Sequence, residues 1–288
     1  GGAQNRDEDI MGHKPFLVIA DYLTRNGIAV LRCDDRGTAA SQGDYASATN
    51  EDFAKDTEAA LNYLRSRKEI NTRKIGIIGH SCGGTIAFDI AAKDPNISFI
   101  ISLAGAAVRG DSLMLKQVEL ISKSQGMPDP VWQTMKPSVR HRYSLLQQTD
   151  KSADEIRKEV YADVTRTMSA GQLKDLNTVQ QLSAQINSMT SPWYLHFMRY
   201  DPTASLKKIK CPVLALNGEK DIQVDADMNL TAIRQHISEN KNVTIKVYPK
   251  LNHLFQTCEK GTLAEYGQLE ETINPEVLKD MTEWIKKQ

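Results

Sequence analysis

The chain has 288 residues, of which 40% are hydrophobic and 25% charged, so it can bury one large core or a core with an insertion. Its 36 basic residues balance 36 acidic ones, and no basic block or aromatic-plus-arginine platform interrupts that balance, so nucleic acid is not an expected partner. No apolar stretch approaches the length of about eighteen residues that a transmembrane helix needs, and the polar start Gly1-Gly2-Ala3-Gln4 is not a signal peptide; a membrane partner is not expected, and the compartment of any longer precursor stays unassigned.

Helical spacing of Phe16, Ile19, Ala20 and Leu23 predicts a helix from Phe16 to Arg25, stopped by Asn26-Gly27. A strand is predicted from Ile28 to Cys33, and Phe53, Thr57, Ala60, Leu61 and Leu64 place a second helix over Glu51 to Arg65. Strands follow at Lys74 to Ile78 and Phe99 to Leu103, separated by a helical run from Thr85 to Ala92. The alternation then lapses. Ser112 to Ser124, Ser152 to Met168 and Leu173 to Met189 read as consecutive helices, with Gly126-Met127-Pro128-Asp129-Pro130 as a turn. After Pro202 come a strand from Val213 to Leu216, a helix from Asp225 to Ile237, a strand from Val243 to Tyr248 and a last helix from Pro275 to Lys286. Repeated strand-then-helix units predict an α/β fold with a doubly wound, mostly parallel sheet. Three segments follow: residues 1–108 as the first part of the core, 109–200 as a helical cap insertion, and 201–288 as the second part of the core.

The strand ending at Ile78 runs straight into Gly79-His80-Ser81-Cys82-Gly83 and then into a helix, which is the strand-turn-helix setting of a G-x-S-x-G nucleophile elbow. A serine on so sharp a turn occupies strained backbone, and Gly79 and Gly83 are expected to leave room for the segments packed around it. Serine needs a histidine base, and the base needs a carboxylate to fix its tautomer. In this architecture the order along the chain is serine, acid, histidine. Asp221 follows the strand at Val213 and His253 follows the strand at Val243, both on the edge of the sheet where Ser81 sits. Glu219 and Asp225 stand as alternative acids. Among the other histidines, His13 and His80 flank the elbow, His141 and His196 fall in the insertion and His236 in a helix; only His253 follows a strand after the acid.

The oxyanion that forms on attack needs backbone donors. The N–H of Cys82 is the first, and Gly2, in the loop before the first helix, is the choice for the second, with Ala3 as its alternative. Trp193, Tyr194 and Phe197, at the end of the insertion, are candidates for the substrate pocket; the same spacing also suits a helix seam packed on a core. The four cysteines, Cys33, Cys82, Cys211 and Cys258, show no C-x-x-C spacing and are expected as buried free thiols, and no His-x-x-x-His pair suggests a metal. No cofactor is expected.

Taken together, Gly2-Ala3-Gln4-Asn5-Arg6-Asp7, Asp34-Asp35-Arg36-Gly37, Gly79-His80-Ser81, Ser191-Pro192-Trp193, Asn217-Gly218 through Asp221, and Leu251-Asn252-His253-Leu254-Phe255 resemble a bacterial α/β-hydrolase family of carboxylesterase-like, dienelactone-hydrolase-like serine hydrolases. The resemblance spans nearly the whole chain. It implies the α/β-hydrolase fold with an eight-stranded type of core, a Ser81–Asp221–His253 triad, and hydrolysis of carboxylic esters without cofactor; the aromatic end of the insertion leads to the expectation of a small to medium, largely apolar ester. A peptidase, a thioesterase or a non-catalytic binding module are the alternatives. Similar proteins often carry an export signal and a further N-terminal domain.

The chain departs from the family at three places. Cys82 stands where the family commonly has glutamate, and Thr38-Ala39-Ala40-Ser41-Gln42-Gly43 replaces a tighter loop after Gly37. The N-terminal strands are missing, including the central strand that the resemblance sets before Gly1-Gly2, and the expectation is that the sequence is a piece of something longer.

Overall fold

The computed structural model describes residues 3–288. In chain order the elements are α1 (Pro15–Arg25), α2 (Asn50–Ser66), β1 (Gly76–His80), α3 (Cys82–Lys93), β2 (Phe99–Leu103), α4 (Gly110–Ser124), α5 (Asp129–Leu146), α6 (Ala153–Thr165), α7 (Ala170–Lys174), α8 (Leu176–Met189), α9 (Pro192–Arg199), α10 (Thr203–Leu206), β3 (Val213–Gly218), α11 (Ala226–His236), β4 (Val243–Tyr248), α12 (Leu263–Tyr266) and α13 (Pro275–Ile285). They fall into two compact units, one of residues 1–45, 51–108 and 201–288, the other of 46–50 and 109–200.

The first unit is built on a sheet of four parallel strands in the order β1-β2-β3-β4. Side chains alternate between its faces, as the two-residue period of a strand requires. Ile100, Val213 and Ala215 point into a core with Ala54 and Leu61 of α2, Ala87, Phe88 and Ile90 of α3, and Leu230 and Ile233 of α11. Phe99, Ile101, Leu214 and Leu216 point the other way, against Ile19 and Leu23 of α1 and Val277, Leu278 and Met281 of α13. Both faces are covered, so β2 and β3 are buried throughout and read in the sequence as unbroken apolar runs.

Parallel strands bring their C-terminal ends to one edge, and backbone hydrogen bonds carry the register past those ends. Ser81 N–H donates to Leu103 O at 2.8 Å, Ala104 N–H to Leu216 O at 2.8 Å and Glu219 N–H to Tyr248 O at 2.9 Å. The loops after β1, β3 and β4 are therefore anchored at a common height.

The segment from Ile28 to Cys33 is not a strand. It pairs with nothing in a ladder among the described residues, and Val30 and Leu31 are exposed. Its β-branched content supplies the preference, but a strand also needs a partner to take its N–H and C=O groups. In keeping with that, β1 is a sheet edge among the described residues, with Gly76, Ile77 and Ile78 only half buried. The eight-stranded type of core thus reduces to four strands among the described residues. The predicted strand at Lys74 to Ile78 starts two residues later, because Thr72–Lys74 forms a 3₁₀ turn capped by the Asn71 side chain.

The second unit is helical. Tyr143, Leu146, Ile156, Val160, Ile186, Leu195 and Met198 form its core. The run Leu173 to Met189 is two helices, α7 and α8, since the Asp175 side chain accepts the Thr178 N–H at 3.1 Å and starts a new helix. The turn predicted at Gly126 to Pro130 leads into α5, whose first turn holds Pro130 and whose interior holds Pro137. Proline in the first turn is tolerated, whereas Pro137 argues against a helix when only the sequence is read.

Candidate active site

Ser81 joins β1 to α3 with φ 54° and ψ −120°, a region costing a non-glycine residue on the order of 1–3 kcal/mol. Such strain persists only where the surroundings impose it. A Cβ on Gly79 would lie 2.1 Å from Gly83 O and 2.7 Å from Gly84 N, so only glycine lets the strand end pass that close to the helix start. The motif leads one to expect the same of Gly83, but a Cβ there meets nothing within 4 Å. Gly84 is the second tight position, where a Cβ would come 2.7 Å from Gly105 Cα. Gly83 contributes its backbone, not its lack of a side chain.

His253 and Asp221 come together. His253 Nδ1 lies 2.7 Å from Asp221 Oδ2, both side chains are buried, and the partner oxygen Oδ1 accepts the N–H groups of Gln223 and Val224, each at 2.8 Å. Asp221 is thus fixed by its own turn, and its remaining acceptor is spent on the ring. With Nδ1–H donating to a carboxylate, Nε2 carries the lone pair. Ser81 is half buried, and its hydroxyl makes no hydrogen bond to that ring among the described residues. Catalytic hydrogen bonds of this kind are commonly long before substrate binds and tighten in the complex.

The rival acids are occupied elsewhere. Asp225 caps α11 by accepting the Met228 N–H at 2.8 Å, and Glu219 accepts the Lys250 N–H at 3.3 Å. Of the other histidines in this unit, His13 is bound to Thr272 and to Tyr266 O, His236 ends α11, and His80 is buried beside the elbow. His141 and His196 lie in the helical unit.

The loop that carries the base is organised by residues that sequence reasoning missed. Asn252 is fully buried; its Oδ1 accepts the N–H groups of Leu254 at 2.9 Å and Gln256 at 3.0 Å, while its Nδ2 donates to Gln256 Oε1 at 2.9 Å. A buried asparagine that caps its own turn is legible only once the turn is known. The acid loop meets this loop at Gly218, where a Cβ would lie 2.2 Å from Leu251 O and 2.7 Å from Asn252 O. Both obstacles are backbone. Gly218→Ala is therefore expected to force the two loops apart and to lower stability by about 1–3 kcal/mol, read as a fall in the urea midpoint; an unchanged midpoint would show that the loops can yield.

Cys82 is buried at the first turn of α3, so its N–H lies at the positive end of a 12-residue helix beside Ser81. Gly2, the choice for the second oxyanion donor, lies outside the described residues. Trp193, Tyr194 and Phe197 are on α9 in the helical unit: the Trp193 and Phe197 rings stack with centroids 5.2 Å apart, Trp193 Nε1 donates to Asn50 Oδ1 at 2.9 Å, and Tyr194 packs on the unit's core. All four cysteines are free; Cys82 and Cys258 are buried as expected, Cys211 is half buried, and Cys33, expected as buried, is exposed at the end of the unpaired segment. Among the described residues, no three His, Cys, Asp or Glu side chains gather as a metal-binding group.

Residues 15–259 match the model of a family described as serine aminopeptidase, S33. Esterase EstD of Thermotoga maritima is 23% identical over 99% of this chain and 60% of its own length. An uncharacterized 31.7 kDa protein of Escherichia coli is 25% identical over 70% of the chain and 65% of its own length, so the chain spans less than two thirds of these relatives. Among solved structures, the α/β hydrolase GrgF from Penicillium sp. sh18 aligns with a TM-score of 0.59 at 14% identity, covering 99% of this chain and 87% of that one. A monoacylglycerol lipase from Paleococcus ferrophilus aligns at 0.53 and 16% identity, covering 100% and 91%. With the matched residues running from α1 to the base loop, the chain belongs to the serine aminopeptidase S33 family of α/β-hydrolases.

Proposed function

We propose that this protein cleaves carboxylic esters through an acyl-enzyme on Ser81, with His253 as general base and Asp221 as the acid that orients it. The observation that carries the reading is the 2.7 Å contact between His253 Nδ1 and Asp221 Oδ2, which makes Nε2 the basic nitrogen of a histidine on the same sheet edge as a strained serine. Nε2 takes the proton from Ser81 Oγ as Oγ bonds to the ester carbonyl carbon, and the carbonyl π-electrons move onto oxygen. The Cys82 N–H at the start of α3 donates to that oxyanion. Collapse re-forms the carbonyl and expels the alkoxide, which takes the proton back from Nε2. Water, deprotonated by the same nitrogen, then releases the acid and restores Ser81.

The ester substrate is supported by the printed name of Esterase EstD, whereas the family description favours a second reading, cleavage of an N-terminal amino acid from a peptide by the same three residues. Alkoxide is a far better leaving group than amine, so an ester is the less demanding substrate for the same three residues. Matched p-nitrophenyl esters, acyl thioesters and aminoacyl p-nitroanilides separate the readings. The ester reading expects oxyester kcat/KM to exceed that of the anilide by about 100-fold or more, a difference of roughly 3 kcal/mol in transition-state stabilisation. Faster cleavage of the anilide would replace the esterase by an aminopeptidase.

A further inference from the structure

Behind the Asp221–His253 pair lies a second acid–histidine pair, which the reaction sequence does not use. His80, the residue before Ser81, is buried, with Nδ1 2.9 Å from Glu8 Oε1 and Nε2 2.9 Å from the backbone carbonyl of His253. Its ring lies against the base, with centroids 4.7 Å apart and planes inclined at 43°, and makes a T-shaped contact with Phe16, centroids 6.3 Å apart. A carbonyl oxygen only accepts, so Nε2 carries a hydrogen toward His253. Burial alone would raise the Glu8 carboxyl, but the charge and hydrogen bond of His80 more than offset this and hold it down at about 2; burial would lower His80, and Glu8 raises it. Both ring nitrogens of His80 thus face an acceptor, the arrangement that suits an imidazolium beside a carboxylate.

Among the described residues the Glu8 carboxylate hydrogen-bonds no side chain but His80. Its Oε2 is buried without a hydrogen-bond partner among the described residues. The carboxylate reaches this place because residues 4–8 are tied down: Arg6 grips Asp34 through Nε at 3.0 Å and Nη2 at 2.6 Å, Gln4 N–H donates to Asp35 Oδ2 at 3.1 Å, and Glu8 itself adopts φ 54°. A buried carboxylate is costly to desolvate and is retained where it holds something in place. Here the end of its hydrogen-bond chain is the backbone of the base: Glu8 Oε1 accepts from His80 Nδ1–H, His80 Nε2–H donates to O=C of residue 253, and His253 Nδ1–H donates to Asp221.

We infer that Glu8 and His80 are positioning residues for His253, holding the carbonyl of its backbone from behind the sheet edge while Asp221 holds its ring from the other side. The inference rests on the triad proposed above. A charged donor binds a carbonyl more strongly than a neutral one, and fixing the carbonyl limits the rotation of the peptide from which the ring is aimed. Asn252 orders the loop downstream of the base, through the N–H groups of residues 254 and 256. His80 acts on residue 253 itself.

The test compares His80→Phe, Glu8→Ala and Glu8→Gln in the whole chain, each checked for folding by circular dichroism. His80→Phe keeps a flat ring without a donor. In Glu8→Gln the new side-chain amide can donate to a neutral His80 and so preserve the Nε2–H bond to the carbonyl, whereas Glu8→Ala leaves Nδ1 without a partner. The expected pattern on a p-nitrophenyl ester is a fall in kcat of about 10- to 100-fold for His80→Phe and Glu8→Ala, KM within about threefold, and rescue to within about fivefold by Glu8→Gln. Imidazole ¹H–¹⁵N spectra give a readout that does not need turnover: the downfield His253 Nδ1–H signal is expected to be sharp in the parent and Glu8→Gln chains and broadened in the other two. Should the parent cleave no ester and no anilide, the triad reading fails while the spectra still decide the brace. Unchanged kcat with a sharp His253 signal in Glu8→Ala overturns the inference even if His80→Phe does not fold, and so does a rise in KM with kcat preserved.

Discussion

Ser81→Ala is expected to abolish ester turnover, lowering kcat by a factor of about 10³–10⁶ with little change in KM or in folding. The range reflects what survives: oxyanion donors and binding still accelerate attack by water, so the residual rate stays above the uncatalysed one. The stability expectation follows from the structure. The Ser81 hydroxyl makes no hydrogen bond to His253 among the described residues, and alanine inherits the same φ of 54° with no new strain. Progress curves for the parent and variant at equal concentration check this, and a variant retaining more than about a tenth of the parent kcat would remove Ser81 as the nucleophile.

Asp221→Asn is expected to cost nearly as much, about 10⁴-fold in kcat, although almost no atom moves. Oδ1 of Asp221 already accepts from the N–H groups of Gln223 and Val224, a position only an oxygen can fill. Asparagine must therefore keep its carbonyl oxygen there and turn its NH₂ toward His253. That NH₂ can only donate, so Nδ1 must accept and the ring's hydrogen moves to Nε2, where the lone pair is needed. The prediction concerns a tautomer, not a distance, which is why a near-isosteric change should be so severe. Burst and steady-state kinetics check it. A loss smaller than about tenfold would mean that another acid orients the base, and Glu219 and Asp225 would be the first to try.

That Ser81, Asp221 and His253 share one edge of the sheet is legible in the sequence because the rule behind it is topological. In a parallel sheet every strand ends on the same edge, so a residue just past the end of a β-branched run is placed without knowing any distance. The strands at Phe99 and Val213 are correspondingly clear, since burial on both faces leaves an apolar run of strand length. The strand at Val243, expected as buried on both faces, is an edge among the described residues; it alternates apolar residues with Thr244 and Lys246 and is partly exposed. The same reasoning fails at Ile28 to Cys33, where local preference is sufficient but no ladder partner stands beside it among the described residues. It fails again at Gly83, because the motif marks two glycines and packing asks for Gly79 and Gly84.

Glu8 is out of reach for a different reason. It lies 72 residues from His80, in a stretch of charged residues that reads as a solvated turn, and nothing local distinguishes it from Asp7 or Asp9. Long-range contacts turn that stretch inward, the Arg6–Asp34 grip together with Gln4 on Asp35 and Arg32 on Asp7. The helical unit shows the converse error. Its α7–α8 break and its proline-bearing α5 depend on caps and on tertiary packing that override propensity.

The central claim is that Ser81 is made nucleophilic by the His253–Asp221 pair, and a fluorophosphonate reports on that assembly directly, because phosphorus is attacked only by a serine whose base and oxyanion donors are in place. The measurement is labelling of the parent chain followed by peptide mapping, with His253→Ala as its partner. One adduct per chain is expected, on Ser81, with labelling slowed by about 100-fold or more without the imidazole. An adduct on any other residue, or equal labelling of Ser81 when His253 is gone, would contradict it.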